Sequence, residues 1–239
     1  MAHPILQNQR GNVIFILLIG VILLAALSFA VTQTQRGSVT QVTDENARLL
    51  ATELIDYSNA VANAVGQLRL RGVAETALCF DSPQWPVAGA YNHAGCGEDT
   101  NKIFAPDGGG VVWNKPSALA FDASGGGTGL WEFVTGNEVA GVGTSGLADE
   151  NVDLLMVASG LTLKVCRQIN QLVNVQNPDL TSTPSAGGFA NTPFTGSFTG
   201  NTAIDDTAGT NKLYGKKSGC FSSLSGGGQY VFYRVLLAR

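Results

Sequence analysis

From Val13 to Val31 the chain reads VIFILLIGVILLAALSFAV, nineteen residues without a charge. Wound as a helix at about 1.5 Å per residue, this run would reach roughly 28 Å, close to the ~30 Å hydrocarbon thickness of a bilayer. Fourteen of the nineteen are Val, Ile, Leu or Phe. At about −0.3 to −0.6 kcal/mol each, they favour insertion by roughly 4 to 8 kcal/mol. The pattern therefore predicts a membrane-spanning half over 13–31. Past Val31 the chain turns polar but keeps a helical period. Ala47, Leu50, Leu54, Val61, Val65 and Leu68 recur at steps of three, four and seven, the stripe of an amphipathic helix. Glu45, Arg48, Glu53, Asp56 and Asn59 fall on the opposite side. No proline lies between Pro4 and Pro83, and Gly37 and Gly66 are the only glycines from 21 to 71. One helix over 12–70 is the expectation, with a break near Gly37 and a fresh cap at Thr43 or Asp44 as the alternative.

From Gly72 the texture changes to Gly, Ser, Thr and Asn with short apolar runs. Strands are predicted at Gly110–Trp113, Leu130–Thr135, Asp153–Ala158 and Gln229–Leu237, separated by glycine clusters at 108–110, 125–127 and 226–228. A helix is predicted near Leu161–Val173, where Leu161, Val165, Ile169 and Leu172 line one face. The stretch from Asn177 to Thr210 is rich in turn residues yet holds Phe189, Phe194 and Phe198. Three phenylalanines imply an ordered surface loop or edge hairpin, and they could form an aromatic contact surface for a neighbouring subunit. The fold class expected is α+β: a long N-terminal helix, half membrane-embedded and half amphipathic, packed on a β-rich, loop-rich domain over 72–239.

Composition narrows the function. Of 239 residues, 44% are hydrophobic and only 13% charged, with 30 glycines. That balance suits an exported β-rich domain better than a cytosolic helical enzyme. A net charge of −4 argues against nucleic acid as a partner. The only two histidines are His3 and His93. No His-built metal cage is available, and a Ser-His-Asp triad would have to rest on His93. No enzyme activity and no cofactor are expected.

Four cysteines, Cys79, Cys96, Cys166 and Cys220, all lie beyond the apolar run. In an exported, oxidising setting disulfides are the default. Of three pairings, Cys79–Cys96 with Cys166–Cys220 is preferred because the first closes a short local loop. A four-thiolate zinc site is the weaker alternative, since no Cys-x-x-Cys pair starts it. Other motifs fail on context. Gly141-Val142-Gly143-Thr144-Ser145-Gly146 matches G-x-G-x-x-G by letter but leads toward a strand, where a dinucleotide site needs a helix. Asp149, Glu150, Asn151 and Asp153 could hold calcium yet lack the hinge glycine and distal glutamate of an EF-hand. Asp205-Asp206 is a weaker version. Arg69 and Arg71 could meet anionic lipid or a partner.

The leader Met1–Gly11 and the apolar run behind it admit three fates: a plain signal anchor held by Arg10, a secretory signal cut after Ser28-Phe29-Ala30, or a prepilin-type signal. Gln9-Arg10-Gly11, then Asn12 and the unbroken apolar run, resembles the class III signal of type IV pilins and pseudopilins. The family usually places Phe or Met first in the mature chain and Glu fifth, where this chain has Asn12 and Ile16. The resemblance implies a cut by a prepilin peptidase between Gly11 and Asn12. It also implies a retained spine helix, inserted with its N-terminus cytoplasmic in the inner membrane and the domain outside. Assembly with identical or related subunits would then form a surface filament. Gly20, Ala25, Ala26 and Ser28 would let helices approach closely. The alternative is a singly anchored or secreted binding domain, such as an adhesin, that never polymerises.

Overall fold

The computed structural model describes residues 15–26, 43–84, 89–124, 126–144, 151–177, 185–186, 189–200, 202–205, 212–223 and 228–239. The chain divides into two compact units, Met1–Thr43 and Asp44–Arg239. In the first, residues 15–26 form a helix, α1. Among the described residues no helix is long and apolar enough to cross a membrane. Two expectations are thereby corrected. The single helix over 12–70 is replaced by α1 and a separate helix α2, Asp44–Leu70. Insertion through a membrane-spanning half at 13–31, with the localisation drawn from it, is not supported. Hydropathy measures how apolar a segment is, whereas spanning also needs an unbroken helix of about 20 residues.

The second unit is helices on a largely antiparallel sheet. Asp44 and Glu45 open α2 and Arg69 closes it, charges that complement the helix dipole. Gly72, at φ 91°, turns the chain off. The N–H of Val73 reaches Leu68 O at 3.1 Å and that of Gly72 reaches Arg69 O at 3.0 Å, a Schellman ending that favours glycine. Ala47, Ala51, Leu54, Ser58, Val61, Ala64, Val65 and Leu68 are buried. Helix α3, Leu163–Leu172, is capped by the Thr162 hydroxyl, which accepts from Val165 N at 3.4 Å.

The strands are β1 (Trp131–Val139), β2 (Asp153–Leu161), β3 (Ser185–Ala186), β4 (Thr192–Pro193), β5 (Thr202–Ile204), β6 (Ser218–Ser223) and β7 (Gln229–Leu237). Their order is β3-β6-β7-β2-β1-β4, with β5 sharing the outer edge of β1 beside β4. The four long strands pair antiparallel, while β3–β6 and β1–β5 are parallel. Every residue of β1 and β2 is buried, because both faces of the sheet are covered. On the helix side Trp131 stacks on Tyr57 at 5.5 Å and meets Phe232 at 6.2 Å. On the other, Val134, Leu155, Val157, Phe221, Val231 and Tyr233 pack with Ile204 of β5 and with Val142, Val175 and Leu213 from the connections. A bulge at Thr135–Gly136 shifts the β1–β2 register. Gly136 sits there at φ 93°, a conformation open to glycine and strained for other residues.

The strand expected at Gly110–Trp113 does not form. Its backbone goes to local turns and a side chain: Gly110 N donates to Ala105 O at 2.9 Å and Val111 N to Ile103 O at 3.2 Å, while Tyr57 Oη donates to Val112 O at 3.2 Å and accepts from Asn114 N at 3.1 Å.

Candidate functional site

Helix α1 is a run of large apolar side chains with water on them. Phe15, Ile16, Leu17, Leu18, Ile19, Val21, Ile22, Leu23 and Leu24 are 42% to 67% exposed. Covering half of that surface would stabilise an assembly by on the order of 10 kcal/mol before ordering costs. Gly20, Ala25 and Ala26 lie in this helix, and a Cβ placed on Gly20 would meet nothing within 4 Å. The processing pair Gly11 and Asn12, and Ser28, lie outside the described residues.

Cys79 is joined to Cys96 and Cys166 to Cys220. The first bridge closes a loop that aromatic rings fasten to the sheet. Phe80 stacks on Phe133 at 4.2 Å, and Tyr91 meets the same ring edge-on at 5.5 Å. The Tyr91 oxygen accepts from Phe133 N at 3.1 Å, and burial pushes its hydroxyl up to about 12. His93 belongs to this loop. Its Nδ1 accepts from Gly95 N at 3.1 Å, so Nε2 carries the proton and donates to Leu78 O at 2.9 Å. With both nitrogens spent on backbone and the ring against Phe194 at 5.8 Å, His93 serves as a post.

The second bridge joins α3 to β6 beside a buried amide. Asn170 Nδ2 donates to Cys220 O, and its Oδ1 accepts from Cys220 N, each at 2.8 Å. Asn137 does the same for Ala190, at 2.7 and 2.8 Å. Nothing in the hydropathy pattern marks these two asparagines. A buried polar set at Glu132 is equally silent in the sequence: its carboxylate accepts from Ser159 Oγ at 3.0 Å and Asn191 Nδ2 at 3.2 Å.

The aromatic surface expected from Phe189, Phe194 and Phe198 turns inward. Phe194 is fully buried against Phe80, and Phe189 packs on Phe221. Arg239 covers the Phe198 ring, 4.1 Å from its centroid. Arg69 and Arg71 are internal struts: Arg69 bonds Val73 O and Glu75, and Arg71 donates to Gly108 O at 2.9 Å. In the glycine-rich stretch, a Cβ on Gly143 would lie 2.2 Å from Arg239 O, so close approach to residue 239 is what that glycine allows. Residues 145–150, including Asp149 and Glu150, lie outside the described residues, as does Asp206.

Asp153 is fully buried at the head of β2, where its oxygens accept from Val139 N at 2.8 Å and Arg239 N at 3.1 Å. It fastens the end of β1 to residue 239, which leaves it no part in a calcium loop. Burial pushes its carboxyl up to about 6, against those two hydrogen bonds. A pKa raised in the folded state contributes stability that is complete below the unfolded value near 3.8 and lost as pH rises through about 6. Urea unfolding at pH 5 should therefore show about 1 kcal/mol more stability from this group than at pH 7. Asp153→Asn should flatten that difference, and an unchanged slope in the variant would refute the assignment.

No family model, curated protein or solved structure matches the chain.

Proposed function

We propose that this chain is a non-enzymatic structural subunit of a type IV pilus-like or pseudopilus-like filament. A prepilin-type peptidase cuts it between Gly11 and Asn12, and the apolar N-terminal segment then packs against those of identical or related subunits. The observation that carries this reading is α1: large apolar side chains exposed along a helix four residues after the Gln9-Arg10-Gly11 leader. A contiguous apolar surface of this kind is covered in use, by a partner or by its own kind. Support also comes from Gly20, Ala25 and Ala26, which permit close helix approach, and from two disulfides that suit an exported, protease-exposed domain.

Mass spectrometry of the first peptide of the native protein tests it. A mature chain beginning at Asn12, lost on Gly11→Val in favour of an intact leader, is the expected result. A start near Val31 would leave a secreted binding domain and end the filament reading. Retention of Met1 in the native chain would end it too.

A further inference from the structure

We propose that Cys79, His93 and Cys96 form a binding site for a thiophilic divalent cation, zinc above all, whenever the bridge between the two cysteines is open. One donor atom from each residue lies within 4.8 Å of the other two. No other group of three such donors occurs among the described residues. Zinc held at about 2.3 Å by thiolate and 2.0 to 2.1 Å by imidazole needs donors some 3.5 to 4 Å apart, so the cluster is already gathered to nearly that scale.

Hydrogen bonds that do not involve the S–S bond hold the chain segments that carry the donors. Cys79 is pinned on both sides of its backbone: its N–H reaches Asn101 O at 3.0 Å, and its carbonyl accepts from Ile103 N at 2.9 Å. Cys96 N bonds His93 O at 2.9 Å, closing the turn that sets the second cysteine three residues from the histidine. Asn101 Nδ2 holds Gly95 O at 3.0 Å. The backbone of Gly95 comes so near that a Cβ there would lie 2.6 Å from Ala77 O. His93 is set as metal-bound histidines are set. Nε2–H donates to a backbone carbonyl, which fixes the tautomer and leaves the lone pair on Nδ1. Gly196 passes close on the Nδ1 side, where a Cβ would come within 2.6 Å of that nitrogen, so a side chain there would block the approach that glycine permits, and Nδ1 itself accepts from Gly95 N at 3.1 Å. On binding, Nδ1 exchanges the Gly95 N–H for the metal, and water completes the coordination.

The redox step balances with a dithiol as reductant. The dithiol gives two electrons and two protons to the Cys79–Cys96 bond and becomes a cyclic disulfide. Two thiols result, and the cation displaces their protons to solvent. In a newly made, still reduced chain the same site would hold Cys79 and Cys96 side by side until oxidation joins them.

The test is a cobalt titration of the reduced full chain, alongside a reduced Cys166→Ser/Cys220→Ser chain in which only Cys79 and Cys96 supply thiols. One Co²⁺ per chain with strong visible d–d bands and thiolate-to-cobalt charge transfer is expected in both, and zinc should displace it. His93→Ala should weaken binding at least about tenfold. Absent bands, or equal affinity in His93→Ala, would overturn the site. If reduction erases the near-UV circular dichroism, one equivalent of zinc should restore it in the wild type and not in His93→Ala. Failure to restore it overturns the site as well.

Discussion

Phe133→Ala is expected to cost about 3 to 5 kcal/mol, the range for emptying a large buried aromatic site. For a domain of this size that is a fall in Tm of roughly 10 °C. Phe133 is fully buried, stacked on Phe80 at 4.2 Å and met by Tyr91 at 5.5 Å and Phe104 at 5.9 Å. Three rings from one side of the chain thus close on a single strand residue. The disulfide loop over 79–96 is tied to the sheet through these rings, so it should loosen first. Hydrogen exchange ought to rise at Cys79 and Phe80 more than in β7. Leu119→Ala, 69% exposed, is the control and should stay within about 0.5 kcal/mol. A loss under about 1 kcal/mol at Phe133 would mean the cluster collapses into the gap and does not organise the loop.

Removal of the Cys166–Cys220 bridge should have a comparable effect. The two cysteines are 54 residues apart, and loop closure on that scale contributes about 4 kcal/mol by restricting the unfolded chain. The Cys79–Cys96 bridge, at a separation of 17, contributes about 3 kcal/mol on the same account. Paired serine substitutions, compared in urea under oxidising conditions, should therefore rank the long loop above the short one. The amide of Asn170 still holds Cys220 N and O in the variant, so β6 should stay in the sheet. The reverse ranking would show that native contacts outweigh chain entropy.

Much of the sheet is legible in the sequence because burial leaves a period. Gln229–Leu237 runs apolar on both faces and forms β7 over those residues. Leu130–Thr135 and Asp153–Ala158 lie within or beside the longer β1 and β2. Helix α3 follows from its apolar face. Strand β6, SGCFSS, is not legible: its buried serines and glycine carry no hydrophobic signal, and β7 recruits it. Gly110–Trp113 errs the other way, with strand-like residues whose backbone bonds Ala105, Ile103 and the Tyr57 hydroxyl and joins no strand of the sheet. Asp153 shows why acidic spacing alone misleads. Three acids and an asparagine near one another in sequence suggest a cation, yet this one opens a strand covered on both faces and binds two backbone amides.

Asn170 and Asn137 bear on more than local fit. A strand with bare N–H and C=O groups along one side is a template on which another strand can add. At Cys220 of β6 those groups are already claimed by the Asn170 amide, which mimics a strand in shape but cannot be extended by one, and Asn137 of β1 spends its amide on Ala190 in the same way. Strand β6 is thereby closed at that point. Under the filament reading proposed above, copies packed side by side would gain from such a closed margin, because they could crowd together without their sheets fusing into aggregates.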